Sequence, residues 1–252
     1  REHSYFSLEY DKIFVSHFGK NPKYQLLVEE LNGKRWGLSR QELAKSLKTS
    51  PSGELTRLLD DLEHSGFIHS FVPFDRSPGS KFSRYRLSDL FLNYYFAFLR
   101  QSIQARELNR LSFLEHIYST PKFKSHMGYA FELICQLHQE QIATILGFNR
   151  IRYRVGPYYK HAQGGALKGV QFDLVYSRAD KVFVVCEAKF TTTPPGLDIG
   201  KELQQRIAQT PELDKKTVQP VLISAQAPTH ELQSSGYFTE FISLADLIGA
   251  VG

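Results

Sequence analysis

The chain has 252 residues, 42% of them hydrophobic and 23% charged, with a formal net charge of +5. This length and apolar content predict one large or two small domains with a packed core. They exclude a helical membrane span, because the longest apolar stretch, Leu90 to Leu99, is interrupted by Asn93 and is about half of the ~20 residues a span needs. No signal peptide is legible in the charged, mixed N-terminus. Cys135 and Cys186 both lie in apolar surroundings, which predicts buried reduced thiols and a cytoplasmic location. The positive charge suggests an anionic partner. Residue 1 is Arg and the sole Met is Met127, so the chain is expected to be a fragment lacking an N-terminal portion.

Residues 1–20 predict an arm or a short helix. Pro22 to Asn32 places Leu26, Leu27 and Leu31 at helical spacing and stops at Gly33. Ser39-Arg-Gln-Glu42 is a capping box, followed by Leu43, Ala44 and Leu47 on one face. Ser50-Pro51 opens a third helix with Leu55, Leu58, Leu59 and Leu62 inward, closed by Ser65-Gly66. Phe67 to Phe74 and Phe82 to Leu87 read as strands joined by a Ser-Pro-Gly-Ser turn. Three short helices and a hairpin over 21–88 are the pattern of a winged helix-turn-helix. Its third helix carries Glu54, Asp60, Asp61 and Glu63 against Arg57, a poor surface for phosphates. Its wing carries Arg76, Lys81, Arg84 and Arg86 with no acidic residue between 76 and 86. The module is therefore either a protein-docking or structural element, or one that touches DNA through the wing.

Residues 88–99 are apolar nearly all round and predict a helix buried on most sides. Residues 101–119 predict an amphipathic helix, and Ser119-Thr-Pro121 marks a boundary. Residues 89–120 thus read as connecting helices before a domain over 121–252. That domain opens on a long helix, 122–146, with Gly128 one turn before Glu132 and with Gly147 as its stop. Asn149 to Tyr159 reads as a strand with Arg150, Arg152 and Arg154 on one face. From Asn149 to Gln171, which also includes Lys160 and Lys168, there is no Asp or Glu. Such a stripe either follows a phosphodiester backbone or is a solvated strand face.

Val170 to Tyr176 and Val182 to Phe190 are strand-like. The run Val182-Phe-Val-Val-Cys186 predicts a strand covered on both faces. Glu187 and Lys189 are two apart and leave one face. Asp173 on the neighbouring strand can join them, giving two carboxylates and an amine at the end of a sheet. That set suits a divalent metal with a base or charge stabiliser beside it. The alternative is that the charges simply pair with one another. Leu197 to Ala208 predicts a helix with Leu203 and Ile207 inward and with Lys201, Gln204, Gln205 and Arg206 available for contacts. Thr217 to Ser224 is another strand. A short strand near 238–242 and a capped helix near 243–248 complete an αβββαβ order with a small tail. Other chemistry is not indicated. There is no phosphate-loop motif and hence no ATP site, no C-x-x-C, no H-E-x-x-H and no G-x-S-x-G. His126 and His138 are twelve apart on one helix, too far for a shared metal.

Glu132 on the helix, Asp173 on the second strand and Glu187-Ala188-Lys189 on the third resemble the PD-(D/E)XK nuclease superfamily. The chain is also similar to the C-terminal part of archaeal-type AAA+/STAND ATPases. That resemblance rests on Tyr85-Arg-Leu-Ser-Asp-Leu-Phe-Leu-Asn-Tyr-Tyr95, Gly128-Tyr-Ala-Phe-Glu132 and Phe172-Asp-Leu-Val175. It implies a winged helix followed by a restriction-endonuclease-like α/β domain that cleaves DNA. Asp173, Glu187 and the carbonyl of Ala188 would hold Mg²⁺ or Mn²⁺, supported by Glu132. Lys189 would position or deprotonate the attacking water or stabilise the phosphate. Gln204 or Gln205 would take the place of a glutamine that many members carry on the helix after the E-x-K strand. Arg150, Arg152, Arg154, Lys160, Lys168, Lys81, Arg84 and Arg86 are the candidate DNA contacts. The implied partners are DNA, an ATPase module absent from this chain and, as in many members, a second copy. The competing expectation is a catalytically inactive, nuclease-like DNA-binding or docking module whose winged helix regulates the ATPase.

Overall fold

The computed structural model describes residues 5–76, 82–100, 112–160 and 169–249. The fold is of mixed α and β type, in two compact units. One is Arg1–Val72 with Pro78–His126, and the other is Pro73–Ser77 with Met127–Gly252. Among the described residues no helix is long and apolar enough to cross a membrane.

In the first unit, α1 (Tyr5–Phe18) and α2 (Pro22–Leu31) precede β1 (Leu38–Ser39), α3 (Arg40–Ser46) and α4 (Gly53–His64). Each helix start has a local cause. Asn21 accepts the Lys23 N–H at 3.0 Å, with Pro22 at the first position of α2. Ser39 and Glu42 form the full capping box of α3. Ser52 caps α4, two residues later than Ser50-Pro51 suggests. The α4 leucines Leu55, Leu58, Leu59 and Leu62 are buried against Leu27, Leu31 and Leu43.

Strands β2 (Ile68–Phe71) and β3 (Arg84–Leu87) pair antiparallel, and β1 joins β3 from the other side. The two-residue β1 is not legible in the sequence. It exists because Gly37, at φ 64°, brings the chain against β3; a Cβ there would lie 2.7 Å from the Tyr85 carbonyl oxygen. Segment α5 (Leu90–Tyr94), capped by Asp89, continues into a π-helical turn over Tyr95–Leu99 rather than a plain α-helix. The π turn accompanies burial of Tyr95, Phe96, Phe98 and Leu99 together, with Tyr95 stacked on Tyr10 at 4.4 Å. The expected helix over 101–119 is seen as α6 (Ser112–Ser119); residues 101–111 lie outside the described residues.

The sheet consumes the wing arginines. Arg84 donates from Nε to the Trp36 carbonyl and from Nη2 to the Gly37 carbonyl, each at 2.8 Å, and lies 3.2 Å from Glu42. Arg86 is 3% exposed, with its guanidinium 4.7 Å from the Phe71 ring centre. The expectation of a basic wing surface is corrected at both positions, because these cations are spent inside the unit. Lys81 lies outside the described residues.

The second unit begins with α7 (Pro121–Leu137), which the division of units cuts, and α8 (Gln139–Ile145). The single helix expected over 122–146 is interrupted at His138, whose backbone N–H and ring Nδ1 both lie against the Ile134 carbonyl, at 3.0 and 2.9 Å. The remaining elements are β4 (Tyr153–Lys160), β5 (Val170–Arg178), β6 (Val182–Lys189), α9 (Leu197–Ala208), β7 (Thr217–Ser224), α10 (His230–Ser234), β8 (Glu240–Ser243) and α11 (Leu244–Gly249). The sheet order is β4-β5-β6-β7-β8, antiparallel as far as β6 and parallel from β6 to β8. Helix α9 makes the crossover that a parallel β6–β7 pair requires.

Both faces are covered, as the apolar run of β6 requires. Val184, Cys186 and Ala188 pack with Phe131, Cys135 and Ile142 of α7 and α8. Val185 packs on the other face with Leu203 of α9, Leu222 and Leu232. The short segment Pro73–Ser77 belongs here: the Phe74 N–H donates to the Pro157 carbonyl at 3.0 Å and its ring meets Tyr158 and Phe183. Both cysteines are buried free thiols whose pKa burial pushes up.

Two outcomes test the first unit. Gly37→Ala is expected to destabilise the protein by about 1–3 kcal/mol in denaturant unfolding, since the clash is with backbone. His69 is lowered from the ordinary 6.5 to about 4, by burial first and then by Arg86. The native state therefore takes up its proton later than the unfolded chain does. Stability from this residue is present above pH 6.5 and declines as pH falls towards 4, by up to about 3 kcal/mol. Unfolding curves of His69→Gln should show a shallower decline across that window.

Candidate active site

Strand β5 carries a bulge where the site is built. Gly156 pairs with Val175 but Tyr158 pairs with Phe172, so Asp173 and Leu174 together oppose Pro157. Proline has no N–H to give to a ladder, and an extra residue opposite it is the common accommodation. The bulge puts Phe172 into one core and Leu174 into the other. It leaves Asp173 between them.

On its other side the β5–β6 ladder runs from Ser177–Phe183 to Leu174–Cys186. Beyond that, the Asp173 side chain takes over the pairing. Its Oδ2 accepts the Ala188 N–H at 2.9 Å, and Oδ1 accepts from Gln171 Nε2 at 3.2 Å. From α7, Gln136 Nε2 donates to the Asp173 backbone carbonyl at 2.8 Å.

Glu187 and Lys189 leave β6 on the face of Val185, beneath α9. Glu187 is 3% exposed. Lys189 Nζ lies 2.7 Å from its Oε1, and Arg206 Nη2 of α9 lies 2.8 Å from its Oε2. That second contact is an ion pair without hydrogen-bond alignment, so Oε2 is a buried carboxylate oxygen with no hydrogen bond. Arg206 also donates from Nη1 to the Gln171 carbonyl at 2.7 Å, linking the ends of β5 and β6.

The electrostatics follow from this packing. Burial, then Glu187 and Glu132, push Asp173 up to about 8, against the pull of the Ala188 N–H and Lys189. Burial alone pulls the Lys189 ammonium down, but Glu187 outweighs it and holds the group above its ordinary value. Lys189 is thus a cation at neutral pH and not a poised base.

The structure brings Asp173, Glu187, Ala188 and Lys189 to one place. Glu132, half-buried on α7, reaches Asp173 through its charge. Among the described residues no group of three His, Cys, Asp or Glu side chains is close enough to hold a metal ion. The available donors are therefore two carboxylates and a carbonyl. These hard oxygen ligands, with Glu187 Oε2 lacking a hydrogen bond, fit Mg²⁺ or Mn²⁺.

The arginine stripe lies elsewhere. Arg154 pairs with Ser177, four residues along β5 from Asp173, or roughly 13 Å at the usual strand rise. Strand β4 begins at Tyr153, so Arg150 and Arg152 precede it; all three arginines are exposed. Lys160, opposite Val170, is at the site end, but it pairs with Glu212 at 3.3 Å. Lys168 lies outside the described residues. Gln204 donates to the Tyr237 carbonyl at 2.8 Å and Gln205 is exposed, so neither reaches Glu187. The α9 residue at the site is Arg206. It follows the inward Leu203 by three positions, a spacing that puts both on one side of a helix. Gln136 and Gln171 carry no sequence signal, since a lone glutamine is ordinary on a helix or a strand.

No family model matches this chain, and no curated protein matches it. A crystal structure of a protein of unknown function, AF1548, aligns with 46% of this chain and 66% of its own, at 16% identity and a TM-score of 0.34. A likeness that weak carries no argument about fold or function.

Removing Lys189 leaves a buried carboxylate with one cation in place of two. Lys189→Met should cost about 1–3 kcal/mol. Adding Glu187→Gln should recover most of that loss, read as coupling in a double-mutant unfolding cycle.

Proposed function

We propose that the second unit is a metal-dependent nuclease of the PD-(D/E)XK type, acting on DNA, and that the first unit is a winged helix serving it. The observation that carries this reading is the convergence of buried Asp173 and Glu187 with a charged Lys189 where β5 and β6 part. Burial of ionisable groups at such a cost to the fold is characteristic of functional sites.

Asp173, Glu187 and the Ala188 carbonyl would hold Mg²⁺ or Mn²⁺. A bound ion would supply Lewis-acid polarisation of the phosphate and a more acidic water. The protein's own part is positional and electrostatic. The Ala188 N–H orients the Asp173 carboxylate. Lys189, kept positive by Glu187, offers its ammonium to charge developing on the phosphoryl oxygens and does not act as the proton acceptor. Exposed Arg150, Arg152 and Arg154, together at one end of β4, would hold the backbone of the duplex away from the cleavage point. In this reading the module works beside an ATPase, which sets when it cuts.

A second reading has its own support. Glu187 is already matched by two cations, and the acidic face of α4 makes internal pairs, Glu54 with Lys23 at 2.6 Å and Asp61 with Tyr24 at 2.6 Å. A self-neutralised cluster beside an acidic helix suits an inactive module that docks on protein.

Cleavage of supercoiled and branched DNA decides between them. The wild type should nick with Mn²⁺ or Mg²⁺, and Lys189→Ala should lower the rate at least about 100-fold while the fold is retained. Binding of DNA without cutting, with both metals on both substrates, would leave the docking module as the function.

A further inference from the structure

Arg206 is a cation on Glu187 that neither the strand pattern nor the metal site requires. Its guanidinium donates to two carbonyls, Gln171 from Nη1 at 2.7 Å and Glu202 from Nε at 3.4 Å, and forms an ion pair with Glu187 Oε2. Glu187 as built is already matched by two cations, Lys189 on Oε1 and Arg206 on Oε2. A divalent ion entering next to Glu187 would add two positive charges to a carboxylate that is already doubly paired and 3% exposed. Buried cations without counter-charge are strongly disfavoured, so the ion and the guanidinium compete for the same oxygen. Of the two cations, Arg206 is the one able to leave. Lys189 is on the same strand two residues from Glu187 and hydrogen-bonds Oε1, whereas Arg206 comes from a different element, α9, and makes its contact to Oε2 without hydrogen-bond alignment.

We propose that Arg206 is a tethered stand-in for the divalent ion, neutralising Glu187 in the metal-free protein and yielding Oε2 when the ion binds. The released guanidinium remains at the site, where its planar fork suits a phosphate oxygen pair. Arg206 is thereby a positioning residue that links metal loading to grip on the substrate backbone. This rests on the reading of Asp173 and Glu187 as metal ligands.

The test needs no cleavage. Free Mn²⁺ is followed by electron paramagnetic resonance while the full chain is titrated, without DNA. Arg206→Met should bind Mn²⁺ at least about tenfold more tightly than the wild type. Arg206→Lys, which keeps a cation there, should stay near the wild type. In the wild type, the Arg206 side-chain Nε–H resonance, assigned by its loss in Arg206→Lys, should move on saturation with Mg²⁺. Unchanged Mn²⁺ affinity in a folded Arg206→Met, or an Arg206 resonance that Mg²⁺ leaves in place, would make Arg206 a structural brace and overturn the stand-in role alone. If neither wild type nor Arg206→Met binds Mn²⁺ at millimolar concentration, the metal-centre reading fails, and this inference with it.

Discussion

The hydrogen bond from the Ala188 N–H to Asp173 Oδ2, 2.9 Å long, is the contact on which the site depends. A buried main-chain N–H must find an acceptor, and leaving one without costs about 1–3 kcal/mol. Strand β5 stops providing carbonyls to β6 after Leu174, so a side chain has to serve. The bulge opposite Pro157 is what turns Asp173 into that position. One proline on the edge strand therefore shapes the centre of the sheet. The Ala188 N–H and the Lys189 ammonium favour the charged form of Asp173, but burial and the neighbouring carboxylates outweigh them and raise its pKa to about 8.

Glu187 poses the opposite problem. It lies at the end of an apolar strand, under a helix, where an unpaired carboxylate would be untenable. Two cations resolve this from different elements, Lys189 from its own strand and Arg206 from α9. A local pair gives permanence, while a pair that crosses from helix to sheet can open without breaking the strand. The crossover helix thus does more than connect parallel strands; it holds a counter-charge over the strand end.

The first unit shows that charge in a sequence does not translate directly into charge on a surface. Arg84 and Arg86 stand in a stretch with no acidic residue, yet one binds the carbonyls of Trp36 and Gly37 and the other lies over Phe71. Arg84 ties β3 to the chain entering β1, and Arg86 packs against Phe71 of β2. The same holds for Lys160, which Glu212 neutralises from fifty-two residues away. Charge patterning along the chain cannot register partners that are distant in sequence.

The amino-acid sequence by itself determined the local elements. The Ser39–Glu42 capping box, the leucines of α4, the limits of α9 and β7 and the doubly covered run Val182–Cys186 follow from caps and periodicity, which act over a few residues. It also placed Glu187 and Lys189 on one face, because side chains alternate along a strand. Tertiary structure alone decided the rest. Strand register set Arg154 far along β5 from Asp173, the bulge at Pro157 aimed the aspartate, and packing of α9 chose Arg206 over Gln204 and Gln205. Each of these depends on which residues become neighbours once strands pair and a helix crosses over them. No periodicity within a single segment carries that information.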